Sequence, residues 1–339
     1  MVSLKDIAAA CGVSTATVSK ALNDLPDISQ ERKQYIREKA KEMGYLPNLA
    51  ARALKTNHSY NIGILFVDDK NSGLTHPHFS KVLEAVKSEA ELRGYDVTFL
   101  NNQLGKWKMS YLEHCRYRGV DGALIACIDF QRPEVLELIH SPIPTVTIDH
   151  VFNDSAAILS DNAEGMQELL AYILSQGHTR IAYIHGKDSA VTRERTASFY
   201  RTLEAHGIEV PEDYIREGVY NDPKAAGEET RKLLALKKPP TCILYPDDYA
   251  SLGGIAAIKE AGLSIPEDIS IAGFDGISIA GLLEPPLATF GQDTEAIGRK
   301  AAAKLIDLIE KPKTTLQDIE KVPGAVISGR SVKNLNGNL

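Results

Sequence analysis

The residues of this chain that are able to do chemistry are arranged for recognition. In the run STATVSKALN, Thr15, Ala16, Thr17, Ser19 and Lys20 place small polar groups ahead of one long cation. Such a set suits a surface that presses against DNA base edges and phosphates. Catalytic signatures are missing. There is no GxGxxG, GxSxG or HExxH, and His185-Gly186-Lys187 has Ile181 where a phosphate loop needs its first glycine. The nine histidines show no metal-ligand spacing, and Cys11, Cys115, Cys127 and Cys242 lie far apart without a CxxC. A zinc site or disulfide framework is not expected, no cofactor is implied, and a reducing cytoplasm is the expected compartment.

The elements that must carry the first set are short helices. Ser3 and Asp6 form a capping box, and Ile7, Ala8 and Cys11 share one helical face until Gly12 breaks the helix. Ser14 caps a second helix whose buried stripe is Val18, Ala21 and Leu22. Two short helices across a glycine turn describe a helix-turn-helix, with the second helix shaped for a major groove. Ser29 caps a third helix, closed by Gly44, with Tyr35, Ile36, Ala40 and Met43 toward the core. Pro47 then stops the chain, Asn48 is a fresh cap, and Leu49–Lys55 forms about two helical turns. A helix this short is mostly unfolded in water, so it is expected to order only against DNA and a second copy.

Charge is divided in the same way. Residues 1–57 carry nine lysines and arginines against six acids, while the remainder carries 29 against 39 within a total of −7. A basic cap on an acidic body points the N-terminus at a polyanion. From Asn61 onward, strands and helices alternate in two successive series, which predicts two doubly wound parallel sheets with a ligand cleft between them. No signal peptide and no membrane-crossing run is expected.

The stretches LKDIAAACGVSTATVSKALN, YLPNLAARALKTNHSYNIGIL, QGHTRIAYI, DDYASLGGIAAIKEAGLSIPEDISIAGFDGI and GQDTEAIGRKAA occur in that order. Together they resemble the LacI/GalR family of bacterial transcription regulators over essentially the whole chain. The resemblance implies an N-terminal all-α helix-turn-helix domain (1–46), a hinge helix (47–57) and an α/β bilobed periplasmic-binding-protein-like core (58–339). Within that core, an N-subdomain of about 60–160 and 292–322 and a C-subdomain of about 161–291 and 323–339 are expected.

By the same resemblance, Thr15, Ala16 and Lys20 read bases, and Thr17 and Ser19 bind phosphate or pack nearby. Ser14 and Asn23, at the helix ends, belong to the DNA-facing set. Leu54 wedges between central base pairs, flanked by Asn48 and Lys55 at the backbone. In the cleft, Arg195 grips the effector and Tyr220 stacks on it. Asp149 and Asp275 end strands at the sheet edge, and Asp247 stands where the family often has asparagine. His78, Phe79 and Gln292 complete the set, while Arg193 points elsewhere as a surface ion-pair member. Three carboxylates around one arginine favour a neutral sugar. The expected function is a dimeric, operator-binding repressor of carbohydrate genes under a sugar-like effector. The alternative is a sugar-binding protein without a regulatory role.

Overall fold

Capping accounts for the first three helices. The Asp6 carboxylate accepts from the Ser3 amide at 2.8 Å while Ser3 Oγ accepts from the Asp6 amide, so α1 (Leu4–Cys11) starts on a closed capping box. Gly12, at φ +64°, ends it in the left-handed region. Ser14 caps α2 (Thr15–Leu22) through the Thr17 amide, and Ser29 caps α3 (Gln30–Glu42) through that of Arg32. Ile7, Val18, Ala21 and Ile36 are fully buried where the three meet.

One core expectation is corrected. Tyr35 is 51% exposed, whereas Lys33 is only 3% exposed. The buried stripe runs Lys33, Ile36, Ala40, spaced i, i+3, i+7, and Tyr35 sits about 100° round the helix from Ile36. Burial of Lys33 is tolerated because its ammonium donates to the Asp24 carbonyl at 3.1 Å and meets the Asp24 carboxylate at 3.0 Å. That clasp ties the turn after α2 to α3.

The chain divides into two units, Met1–Ser59 and Tyr60–Leu339. The structure, a computed structural model, describes residues 2–46, 58–68, 70, 72–153 and 155–337. The expected hinge helix, with Asn48, Leu54 and Lys55, lies outside the described residues.

In the second unit, β1 (Asn61–Phe66), α4 (Phe79–Leu92), β2 (Asp96–Phe99), the small ladder β3 (Gln103–Leu104) and β4 (Trp107–Lys108), α5 (Tyr111–Arg118), β5 (Gly122–Ala126), α6 (Pro133–Ile139), β6 (Thr145–Ile148) and β7 (Ala156–Ser160) build one lobe. The other lobe holds α7 (Asn162–Ser175), β8 (Ile181–His185), α8 (Ala190–Ala205), β9 (Ile215–Glu217), α9 (Pro223–Leu234), β10 (Cys242–Leu244), α10 (Asp248–Glu260), β11 (Ser270–Asp275), α11 (Ser278–Leu282) and β12 (Ala288–Gly291). The chain then returns through α12 (Thr294–Glu310) and β13 (Ile319–Val322) to the first lobe, and through β14 (Ala325–Ile327) to the second.

The sheets run β13-β7-β6-β5-β1-β2 and β14-β12-β11-β10-β8-β9, parallel throughout except for the antiparallel β14. Helices cover both faces, which explains why the central strands read as continuous apolar runs such as Ile62–Phe66. Ile64, Leu124 and Ile158 pack on Leu305 and Ile309 of α12 in the first lobe. Tyr183, Leu244 and Phe274 pack on Leu170 and Phe199 in the second. The strand Ile215–Glu217 ends before Val219, because the chain turns at Tyr220–Asn221 and Asn221 takes φ +53°. Among the described residues no helix is long and apolar enough to cross a membrane.

Candidate functional site

Two surfaces collect the residues singled out above. In the N-terminal unit, α2 buries Val18 and Ala21 and leaves Thr15, Ala16 and Lys20 exposed, with Thr17 and Ser19 half-buried. Ser14 and Asn23 direct their polar atoms into the helix. Ser14 Oγ caps it and lies 2.9 Å from Thr17 Oγ1, while Asn23 Nδ2 donates to the Ser19 carbonyl at 2.7 Å. Lys20 is held by the carboxylate of Asp27, a partner that sequence periodicity did not reveal.

In the second unit the strand ends converge on a cleft between the lobes. Asp149 follows β6 at φ +56° and Asp275 ends β11 at φ +105°. These are backbone angles that non-glycine residues seldom adopt, and here they bend the chain as it leaves each strand. Arg195, on α8, is 3% exposed. Its Nε donates to Asn162 Oδ1 at 2.8 Å and its Nη1 to the Pro246 carbonyl at 3.0 Å, while the guanidinium lies 3.6 Å from the centre of the Phe274 ring. The remaining nitrogen, Nη2, stands 3.9 Å from Asp275 Oδ1. Arginine is thus oriented by three fixed groups with one edge left for a ligand. Arg193, by contrast, pairs with Asp188 at the surface.

Asp275 Oδ1 accepts from Gln292 Nε2 at 2.5 Å, and Gln292 Oε1 in turn accepts from Ser160 Oγ across the lobes. Burial pushes the Asp275 carboxyl up to about 6, partly offset by Arg195 and the Gln292 hydrogen bond. Asp149 is also raised by burial, although its Oδ1 accepts from the Ser160 amide at 2.8 Å. Asp247 reaches about 7 through burial and the neighbouring Asp275. Its two oxygens accept from the amides of Asn221 and Ala250 at 2.8 and 2.7 Å, so it caps α10 behind the cleft wall.

The first lobe supplies the opposite wall. His78 is buried, with Nδ1 lacking a hydrogen-bond partner and standing 3.9 Å from Asp275 Oδ2. Burial lowers its imidazole to about 4, so it is neutral at pH 7. Phe79 packs edge-on against His78 and beside Phe66. On the second lobe the Tyr220 hydroxyl lies 3.0 Å from Thr192 Oγ1, and its ring rests on Gly186, where a Cβ would come within 2.0 Å.

Several participants had no local signal in the sequence. Lys70 Nζ donates to the Asn221 carbonyl at 2.6 Å and pairs with Asp222 at 3.0 Å. His76 Nε2 and Asn221 Nδ2 lie 2.9 Å apart. These contacts strap the lobes together at the cleft mouth. Asp248, next to Asp247, accepts from Thr289 Oγ1 at 2.5 Å and from the Ile277 amide at 2.8 Å, with its carboxyl raised by burial and by Asp275.

Comparison with known proteins agrees with this architecture. Residues 3–48 match the family of bacterial regulatory proteins, lacI family, and residues 170–332 match the periplasmic binding protein-like domain. The HTH-type transcriptional repressor PurR of Pectobacterium carotovorum is 33% identical over 340 residues, covering 98% of this chain and 97% of that protein. PurR of Actinobacillus pleuropneumoniae is 32% identical over 343 residues, covering 99% and 100%. The lac repressor dimer bound to operator and the anti-inducer ONPF shares the fold with a TM-score of 0.77 at 24% identity, over 98% of this chain and 99% of that one. The regulator CelR in its cellobiose complex does so with 0.70 at 23% identity, over 98% and 100%. A three-helix unit joined to a bilobed core, and matched end to end by repressors, makes this chain a DNA-binding transcriptional repressor of the lacI family and not an enzyme.

Proposed function

We propose that the chain acts as a dimer on a palindromic operator through Thr15, Ala16 and Lys20, and that a small neutral ring ligand in the cleft controls it. The observation that carries the ligand reading is His78 Nδ1, buried without a partner opposite Arg195 and Asp275. A ligand offering both donors and acceptors would complete all three groups. Asp149, Asp247 and Asp275 all interact with Arg195, three carboxyl groups to one cation, which disfavours an anionic ligand over a neutral one.

Two occupants fit. The PurR name of the full-length relatives favours a purine base, for which Phe79 and Tyr220 would be the flat walls. This displaces the carbohydrate reading from first place. A free sugar stays second, supported by relatives of the same fold bound to cellobiose and ribose. Operator and ligand are then linked, and each alters the affinity of the other by the same factor.

The test is calorimetric titration of the intact chain with purine bases and with neutral mono- and disaccharides, repeated with Arg195→Ala. One class should bind and lose its affinity in the variant. Binding that survives the variant removes Arg195 from the site, and tighter binding of a sugar phosphate than of its free sugar refutes the neutral-ligand reading. Gel shift on palindromic duplexes tests the operator reading separately.

A further inference from the structure

The turn from Asn23 to Ile28 brings two acids onto the positively charged N-terminal unit, and they are used differently. Asp24 belongs to the scaffold. It holds the buried Lys33 through its carbonyl and carboxylate, and Arg37 pairs with it at 2.8 Å. Asp27 grips the ammonium of Lys20 in the last turn of α2, with both side chains about half exposed (46% and 49%). A carboxylate on a face that meets phosphates repels them, so its placement needs a reason.

The chemistry of the ammonium supplies one. It carries three donors. With one on Asp27, two remain, the number that matches O6 and N7 of a guanine in the major groove. A backbone phosphate, in contrast, offers Lys20 only an exchange of one anion for another. We propose that Asp27 is a specificity-determining residue of the operator-reading face, holding Lys20 away from phosphates and poised for a guanine edge. It trades non-specific DNA affinity for discrimination. The inference rests on the reading of α2 as the base-reading helix.

The test uses the full-length chain. Selection from a random duplex library with the wild type supplies the operator probe, and poly(dA-dT), which has no guanine O6/N7 edge, supplies the non-specific one. Both affinities are followed between about 50 and 200 mM salt. Asp27→Asn should tighten poly(dA-dT) binding roughly three- to tenfold and steepen its log–log salt slope by about 0.9, the increment of one phosphate contact. Operator affinity should move by less than about twofold. Selection repeated with the variant should lose a guanine preference at one position per half-site. Asp27→Ser must repeat this result, and Asp27→Glu, which keeps the carboxylate, should behave as wild type.

Lys20→Ala separates the two readings. If it weakens operator binding while Asp27→Asn shifts both probes equally, or neither, the role of Asp27 is overturned and the helix assignment stands. Tighter non-specific binding with an unchanged base preference also overturns it, because Asp27 then only repels. If Lys20→Ala changes nothing, the reading of α2 falls and this inference falls with it.

Discussion

Replacing Asp275 with asparagine tests the electrostatics of the cleft. Burial moves this carboxyl from its ordinary 3.8 to about 6 in the folded chain. The folded state therefore holds the proton more tightly than the unfolded one. Stability is fully present below about 3.8 and is lost as pH rises through about 6. With about 1.4 kcal/mol per tenfold change in proton affinity, ionising Asp275 costs the fold roughly 1.5 kcal/mol at pH 5 and about 3 kcal/mol at pH 8. Asparagine keeps the oxygen that accepts from Gln292, tolerates φ +105° and does not ionise. Arg195 loses a partner at 3.9 Å but retains Asn162, the Pro246 carbonyl and the Phe274 ring. Asp247, raised partly by Asp275, should relax in the same direction. Urea unfolding followed by circular dichroism should therefore find Asp275→Asn more stable than wild type, by a margin that grows by about 1–2 kcal/mol from pH 5 to pH 8. Ligand affinity should fall in the same variant. A margin that does not grow with pH, or a variant less stable at pH 8, refutes the reasoning.

Three further outcomes follow from particular contacts. Gly186→Ala places a Cβ 2.0 Å from the Tyr220 ring, so the ring must shift; ligand affinity should drop about tenfold or more with folding unchanged, and unaltered calorimetry would remove Tyr220 from the wall. Lys33→Ala leaves the Asp24 carbonyl without its donor and unclasps the turn, which should destabilise the N-terminal unit and speed hydrogen exchange of α3 amides in the intact chain. Unchanged protection there would show the clasp to be idle. Lys70→Ala removes two contacts between the lobes, part-exposed and so worth about 0.5–1 kcal/mol together. Ligand should leave roughly two- to fivefold faster in stopped flow, and an equal rate would mean that the strap does not restrain opening.

What was legible in the sequence was local or periodic. Ser3, Ser14 and Ser29 announce helix starts because a cap acts within three residues, and Ile62–Phe66 announces a strand buried on both faces. Arg195 was singled out by the resemblance, and Asp149 and Asp275 by their places at strand ends, where the structure puts them. Lys33 was not, because its burial depends on where a separate turn places Asp24. His76, Asn221 and Lys70 were not, because their contacts join segments 145 and 151 residues apart and leave no periodic trace. Asp247 was read as an extra cleft carboxylate, and its two backbone acceptor roles appear only once α10 and the Asn221 turn are folded together.

The incomplete groups of the cleft lie on opposite lobes. His78, with its unmet Nδ1, precedes α4 in the first lobe, and Asp275, with its raised carboxyl, ends β11 in the second. A ligand bound to one lobe alone would satisfy only one of them. His78 Nδ1 and Asp275 Oδ2 stand 3.9 Å apart, so under the proposed function a ligand that meets both bridges the lobes and favours the arrangement in which they are held together. A ligand that met only one of the two groups would not bridge the lobes and should regulate weakly, however tightly it bound.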